Sequence, residues 1–198
     1  MTKRDYLTIV SGIPRSGTSM MMQMIDAGGI PALTDHVRRA DENNPKGYYE
    51  FEPVKNTKQD PRWIEQGVGK VVKMVHLLLY DLPPGRRYRV VLMRRRLDDV
   101  VRSQNKMLER SGQPSDDLPP DRLIYIYRTQ LEDVRRYLEA NSQTFRTIEV
   151  DYNEVLADPA SPAQQVSRFL DGLDAAQMIA VVDPANDIRW RQPDSRCP

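Results

Sequence analysis

The sequence predicts an α/β domain: a central, mostly parallel sheet as the middle of three layers, flanked by helices. Three observations lead there. Short apolar, β-branched runs alternate with longer stretches of helical period, the pattern of βαβ units. The runs are almost continuously apolar, as strands buried on both faces are, rather than alternating apolar with polar. The length, 198 residues, fits one domain at roughly 100 to 200 residues each, enough to bury a core.

The elements follow in order. Residues 6–10 (YLTIV) form the first strand, followed by a glycine-containing turn and an apolar helix start over residues 20–25. Met20, Met21, Met22 and Met24 in that helix read as core packing, with an adaptable apolar wall under a ligand as the alternative. Residues 35–66 are polar, with turn chemistry at Asn43-Asn44-Pro45-Lys46-Gly47, and residues 111–120 form a second irregular stretch. Long irregular segments inside one domain are characteristic of lids and binding loops. Tyr48, Tyr49, Phe51 and Trp63 in the first of them either line a pocket or pin the segment to the domain. Three more strands are expected at residues 71–75 (VVKMV), 88–93 (YRVVLM) and 144–150 (TFRTIEV). The longest helix is expected over residues 121–140, where Leu123, Tyr127, Leu131, Val134 and Leu138 recur at spacings of three and four behind Pro119-Pro120 and an Asp121 cap. Two shorter helices are expected at residues 162–170 and 174–182, and residues 183–198 form a C-terminal tail, so that residues 1–198 make a single domain.

Composition excludes several functions. Lys and Arg number 29 against 28 Asp and Glu, a formal charge of +1, so there is no global basic field for nucleic acid and any anion site must be local. Mean hydropathy is −0.63, and no apolar run approaches the ~20 residues that span a bilayer, so no membrane partner is expected. The start of the chain breaks too soon at Ser11-Gly12 for a signal peptide, and the single cysteine, Cys197, excludes an internal disulfide framework or a cysteine zinc site. Both fit the cytoplasm.

The segment Gly12-Ile13-Pro14-Arg15-Ser16-Gly17-Thr18-Ser19 has the glycine spacing of a phosphate loop, with a strand before it and a helix after it. Glycines let successive N–H groups face inward, and the following helix adds unpaired donors and the positive end of its dipole. The fold is therefore P-loop-like. The departure from the nucleoside triphosphatase pattern is informative: Thr18 stands where that pattern has lysine, and the basic residue is Arg15 inside the loop. The YRVVLM strand runs into Arg94-Arg95-Arg96 rather than a magnesium-binding aspartate. Cations and hydroxyls without a metal carboxylate suit a phosphate-bearing donor used without metal.

Pro14-Arg15-Ser16-Gly17-Thr18-Ser19 resembles the 5′-phosphosulfate loop P-[KR]-S-G-T-[ST] of sulfotransferases that use 3′-phosphoadenosine 5′-phosphosulfate (PAPS). Arg95, Asp99 and Ser103 in RRLDDVVRS are similar to that superfamily's 3′-phosphate motif, and Tyr152-Asn153-Glu154 to a turn whose tyrosine helps to hold adenine. Asn44-Pro45-Lys46-Gly47-Tyr48-Tyr49-Glu50 matches an N-P-x-G-Y-[YF]-E segment of its bacterial branch. The resemblance runs from about residue 6 to about residue 170 and implies PAPS as co-substrate, no metal, and a small-molecule acceptor.

Sulfuryl transfer is an in-line displacement in which charge builds on the leaving oxygen, so positioning and charge stabilisation dominate. Arg15, with the amides of residues 16–19 and the hydroxyls of Thr18 and Ser19, is expected around the 5′-phosphate, and Arg95 with Ser103 around the 3′-phosphate. Lys73 lies inside an apolar strand, where an ammonium without a purpose costs energy, and the resemblance sets it near the sulfuryl group; an edge lysine that snorkels is the alternative. For the base, the resemblance points to a carboxylate about twenty residues beyond the loop arginine, where Asp35 and His36 stand. Glu50 ranks third. Lys73-Met74-Val75-His76 is one residue longer than the K-x-H of the cytosolic branch, so alternation puts Lys73 and His76 on opposite faces of a continuing strand.

The expectation is thus a sulfotransferase moving a sulfuryl group from PAPS to a hydroxyl or amine of a small molecule. A small nucleotide-dependent kinase and a non-catalytic scaffold that binds PAP (adenosine 3′,5′-bisphosphate) or another nucleotide are the alternatives. A homodimer stays open, as does donor contact by Arg102, Arg189, Arg191 and Arg196.

Overall fold

A computed structural model describes residues 4–35, 37, 47–112 and 118–183. His36, the Asn44-Pro45-Lys46 part of the bacterial-branch segment, Arg189, Arg191, Arg196 and Cys197 lie outside the described residues.

Four strands, β1 (Leu7–Gly12), β2 (Val71–Val75), β3 (Tyr88–Arg94) and β4 (Phe145–Asp151), form one sheet in the order β2-β1-β3-β4. Every pairing is parallel, so the mostly parallel sheet expected is wholly parallel here. All six residues of β1 are buried, because both faces of a parallel sheet are covered by its crossover helices. The four strands fall where apolar runs predicted them, with ends displaced by at most two residues.

On one face Val10, Val71, Val91, Met93 and Val150 pack with α1 (Thr18–Ala27), α5 (Tyr152–Ala157), α6 (Ala160–Phe169) and α7 (Ala175–Ala180). Met20, Met21, Met22 and Met24 belong to this core, which settles them as packing. On the other face Ile9, Val72, Met74, Val90 and Leu92 meet Trp63 and Ile64 of α2 (Trp63–Gly67) and Val134 and Leu138 of α4 (Pro120–Ala140). A small cluster of Ile13, Val100 and Leu131 seats α3 (Leu97–Arg110) on α4. The result is three layers.

Three local differences from the sequence reading matter for the site. The 35–66 stretch contains a 3₁₀ turn (Glu52–Asn56) and α2. Trp63 donates its indole N–H to Thr57 Oγ1 at 3.1 Å and meets Phe51 edge-on, so these aromatics pin the segment down. The strand does not continue past Val75: a 3₁₀ turn (His76–Asp81) starts there and buries His76 and Leu79. Tyr152-Asn153-Glu154, read as a turn, opens α5, because the Asp151 carboxylate accepts from the N–H groups of Asn153 and Glu154. Among the described residues, no helix is long and apolar enough to cross a membrane.

Candidate functional site

The loop between β1 and α1 is shaped by two glycines. At Gly12 (φ 155°) an added Cβ would lie 2.5 Å from Ser16 Oγ and 2.9 Å from the Met93 carbonyl, so the chain turns on a spot that admits no side chain. At Gly17 (φ 96°) a Cβ would fall inside the Tyr152 ring. Gly17 caps α1 and offers no side chain to the first-turn N–H groups, which leaves the helix dipole facing the loop. Between them Arg15 adopts φ 72°, a left-handed conformation that costs a non-glycine residue about 1 kcal/mol or more.

With that backbone, the Arg15 side chain reaches α3. Its Nε donates to Ser103 Oγ at 3.0 Å, and Ser103 is buried on α3. Arg95, the first residue beyond β3, donates to the Arg15 carbonyl at 3.0 Å and lays its guanidinium over the Tyr152 ring, 4.5 Å from the centroid. Its neighbours turn away: Arg94 reaches Glu149 at 3.1 Å, and Arg96 reaches Asp99 at 2.9 Å. Asp99 also lies 3.4 Å from Arg102, so it joins two arginines of the first turns of α3. Three motifs far apart in sequence therefore meet as one cluster of Arg15, Gly17, Arg95, Ser103 and Tyr152.

A second group adjoins it. Lys73 points from β2 to the α1 face, donates to the Tyr48 carbonyl and lies 3.5 Å from Glu50 Oε1, with side-chain exposures of 15% and 22%. The same Tyr48 carbonyl accepts from Ser19 Oγ at 3.4 Å. Residues 47–52 thus form a strap across the start of α1, tied to β2 by Lys73. Asp35 secures the strap: Oδ2 accepts from the Glu52 N–H at 2.6 Å and Oδ1 from the Val37 N–H at 3.0 Å. Thr34 Oγ1 donates to the Glu50 carbonyl at 2.9 Å. Among the described residues, no three His, Cys, Asp or Glu side chains come together as a metal site needs.

His76 adjoins the start of the loop, against Gly12. It is buried on the α4 side with Nε2 3.0 Å from Gln130 Oε1, and it leans on the Gly12 backbone. Burial pushes its pKa below the ordinary value of 6.5 against those two contacts, so the ring is neutral at pH 7. Gln130 had no local signature: it reaches His76 from a helix 54 positions away. Pro14, Ser16, Thr18 and Ser19 sit in the loop or on the first turn of α1 as the spacing required. His36 lies outside the described residues.

No family model matches the chain, and no curated protein matches it. Solved structures do. A sulfotransferase domain from the curacin biosynthetic pathway superposes with a TM-score of 0.57 at 14% identity, over 92% of this chain and 79% of that one. A sulfotransferase domain from the Synechococcus PCC 7002 olefin synthase superposes with a TM-score of 0.53 at 12% identity, over 100% of this chain and 91% of that one. The fold is that of sulfotransferase domains.

Proposed function

We propose that the protein is a transferase that moves a sulfuryl group from PAPS to a hydroxyl or amine of a small molecule, without a metal. The observation that carries this is the junction of Arg15, Arg95 and Ser103: two phosphate-type motifs, 80 and 88 positions apart, joined by side-chain hydrogen bonds on a sulfotransferase-like scaffold.

Each residue then has a task. The amides of residues 16–19, the α1 dipole and the hydroxyls of Thr18 and Ser19 take the 5′-phosphate, while Gly12 and Gly17 let the loop pack closely on Met93 and Tyr152. Arg15 offsets charge on the leaving phosphate, and Arg95 with Ser103 takes the 3′-phosphate. Tyr152, buried under the Arg95 guanidinium, holds that arginine in place, and the adenine is expected beside this pair. Lys73 serves the transferring group, and its Glu50 partner keeps an ammonium tolerable in an apolar strand.

For the base, Glu50 is favoured over Asp35, while His36 lies outside the described residues. Asp35 has both carboxylate oxygens engaged by backbone N–H groups and supports the strap, whereas Glu50 stands beside Lys73. We therefore assign proton removal from the acceptor to Glu50, with Asp35 as its positioning residue through the strap. The engagement of Lys73 by both Tyr48 and Glu50 also favours a second reading, a PAP-binding protein without turnover.

A thermal-shift series separates the readings. Stabilisation by PAP or PAPS over ATP, unchanged by EDTA, supports the sulfotransferase, and preference for Mg-ATP overturns it. PAP binding with no transfer across a broad panel of alcohols, phenols and amines moves the conclusion to the second reading.

A further inference from the structure

The opposite pole of the sheet carries a second concentration of charge that the donor reading does not use. A cavity of about 360 Å³ opens at the amino ends of β1, β3 and β4, bounded by Tyr6, Tyr88 and Thr144, which precede or begin those strands. The loop follows the carboxyl end of β1, so the strand length, about 20 Å at roughly 3.3 Å per residue, separates the two places.

The lining is unbalanced. Arg4, Arg87, Arg89 and Arg146 face only two acids, Asp5 and Asp171. Both acids are engaged: Asp5 pairs with Arg87, and Asp171 with Arg89 at 2.7 Å. Arg89 is further held by the Phe169 carbonyl and stacks over Tyr6 at 4.0 Å, which makes it a fixed wall of the cavity. Arg4 donates to the Leu170 and Gly172 carbonyls at 3.2 and 3.5 Å and lies within electrostatic reach of Asp171, without an ion pair among the described residues. Arg146 has no acid partner among the described residues, yet the sheet register sets it directly beside Arg89. Like charges at neighbouring register positions are destabilising. The turn that carries Asp171 is itself unusual, with φ 60° at a non-glycine residue.

Among the described residues, four guanidiniums therefore face two carboxylates around a cavity that Tyr6, Tyr88, Ser142 and Thr144 also line. The missing counter-charge is about −2, with the hydroxyl groups of Ser142 and Thr144 beside it. A phosphate monoester carries about −1.5 to −2 at pH 7 and offers three acceptor oxygens. The volume suits a small ligand, since such sites start at about 300 Å³. We infer that this pole binds a small organic phosphate monoester, with Arg4 and Arg146 on the phosphate. The inference is independent of the donor site.

Phenyl phosphate is the probe, and amide chemical shifts in a ¹⁵N-labelled sample locate where it acts. The amides of residues 142–147 should titrate as one site, separately from any response at residues 12–19, and phenol should leave them unmoved. In Arg146→Gln, an exposed substitution whose folding is checked by Tm, the local affinity should fall about tenfold or more, the scale of a lost charge-assisted contact. No local shift at about 10 mM phenyl phosphate overturns the site, taking millimolar affinity as the weakest useful binding. So does an unchanged local affinity in Arg146→Gln, or an equal response to phenol.

Discussion

The Nε–H of Arg15 donates to Ser103 Oγ at 3.0 Å, joining a strained loop residue to a buried helix residue 88 positions later. Neither partner is held by its own element alone. The left-handed Arg15 backbone aims the guanidinium at α3, and burial of Ser103 fixes the hydroxyl that receives it. Together with the Arg95 bond to the Arg15 carbonyl, the contact sets loop, β3 end and α3 relative to one another, an arrangement that lowers the ordering cost of any ligand held there.

If Arg95 holds the 3′-phosphate, Arg95→Ala should weaken PAP binding by ~1.5 to 3 kcal/mol, about 10- to 150-fold in Kd by calorimetry. Unchanged PAP affinity in a folded variant refutes that role.

Arg15 is assigned to the leaving charge, which develops mainly in the transition state. Arg15→Ala should therefore lower kcat at saturating PAPS by a larger factor than it weakens PAP binding. A loss confined to affinity contradicts the assignment.

Glu50 and Asp35 are separable. Glu50→Gln should cut the rate by about 10²- to 10⁴-fold, the usual scale for a lost general base, while PAP still binds. Asp35→Asn should retain measurable turnover with a raised acceptor KM, because it loosens the strap through Glu52 and Val37 rather than removing the base. The reverse pattern would return the base to Asp35.

Two glycines with left-handed backbones should respond differently to alanine. At Gly17 the new Cβ enters the Tyr152 ring, so Gly17→Ala should cost at least ~2 kcal/mol and abolish PAP binding. At Gly29 (φ 109°) nothing lies within 4 Å, and only the backbone penalty of ~1 kcal/mol should appear in Tm.

His76 gives a pH signature. Its folded pKa lies below 6.5, so below that pH the unfolded chain takes up a proton that the folded chain resists. Stability should be fullest above about pH 7 and fall as pH drops through 6.5. His76→Gln should flatten that part of a Tm profile; an unaltered slope would assign it to other groups.

The features legible in the amino-acid order were local ones. Four apolar runs became four strands, Gly12 and Gly17 marked a loop whose spacing is a short-range property, and the period of residues 121–140 became α4. The candidate residues of the loop, of the β3 end and of α3 were legible because each motif lies within about nine residues. The tertiary structure decided what those motifs meet. Only the strand order β2-β1-β3-β4 brings Arg95 to the Arg15 carbonyl and Tyr152 under Gly17. It also tied Lys73 to Glu50 through a strap whose path is irregular and non-periodic, turned Asp35 toward backbone donors, and folded His76 inward against Gln130. Side-chain partners separated by 17 to 88 positions depend on how the layers stack, and no local pattern encodes that.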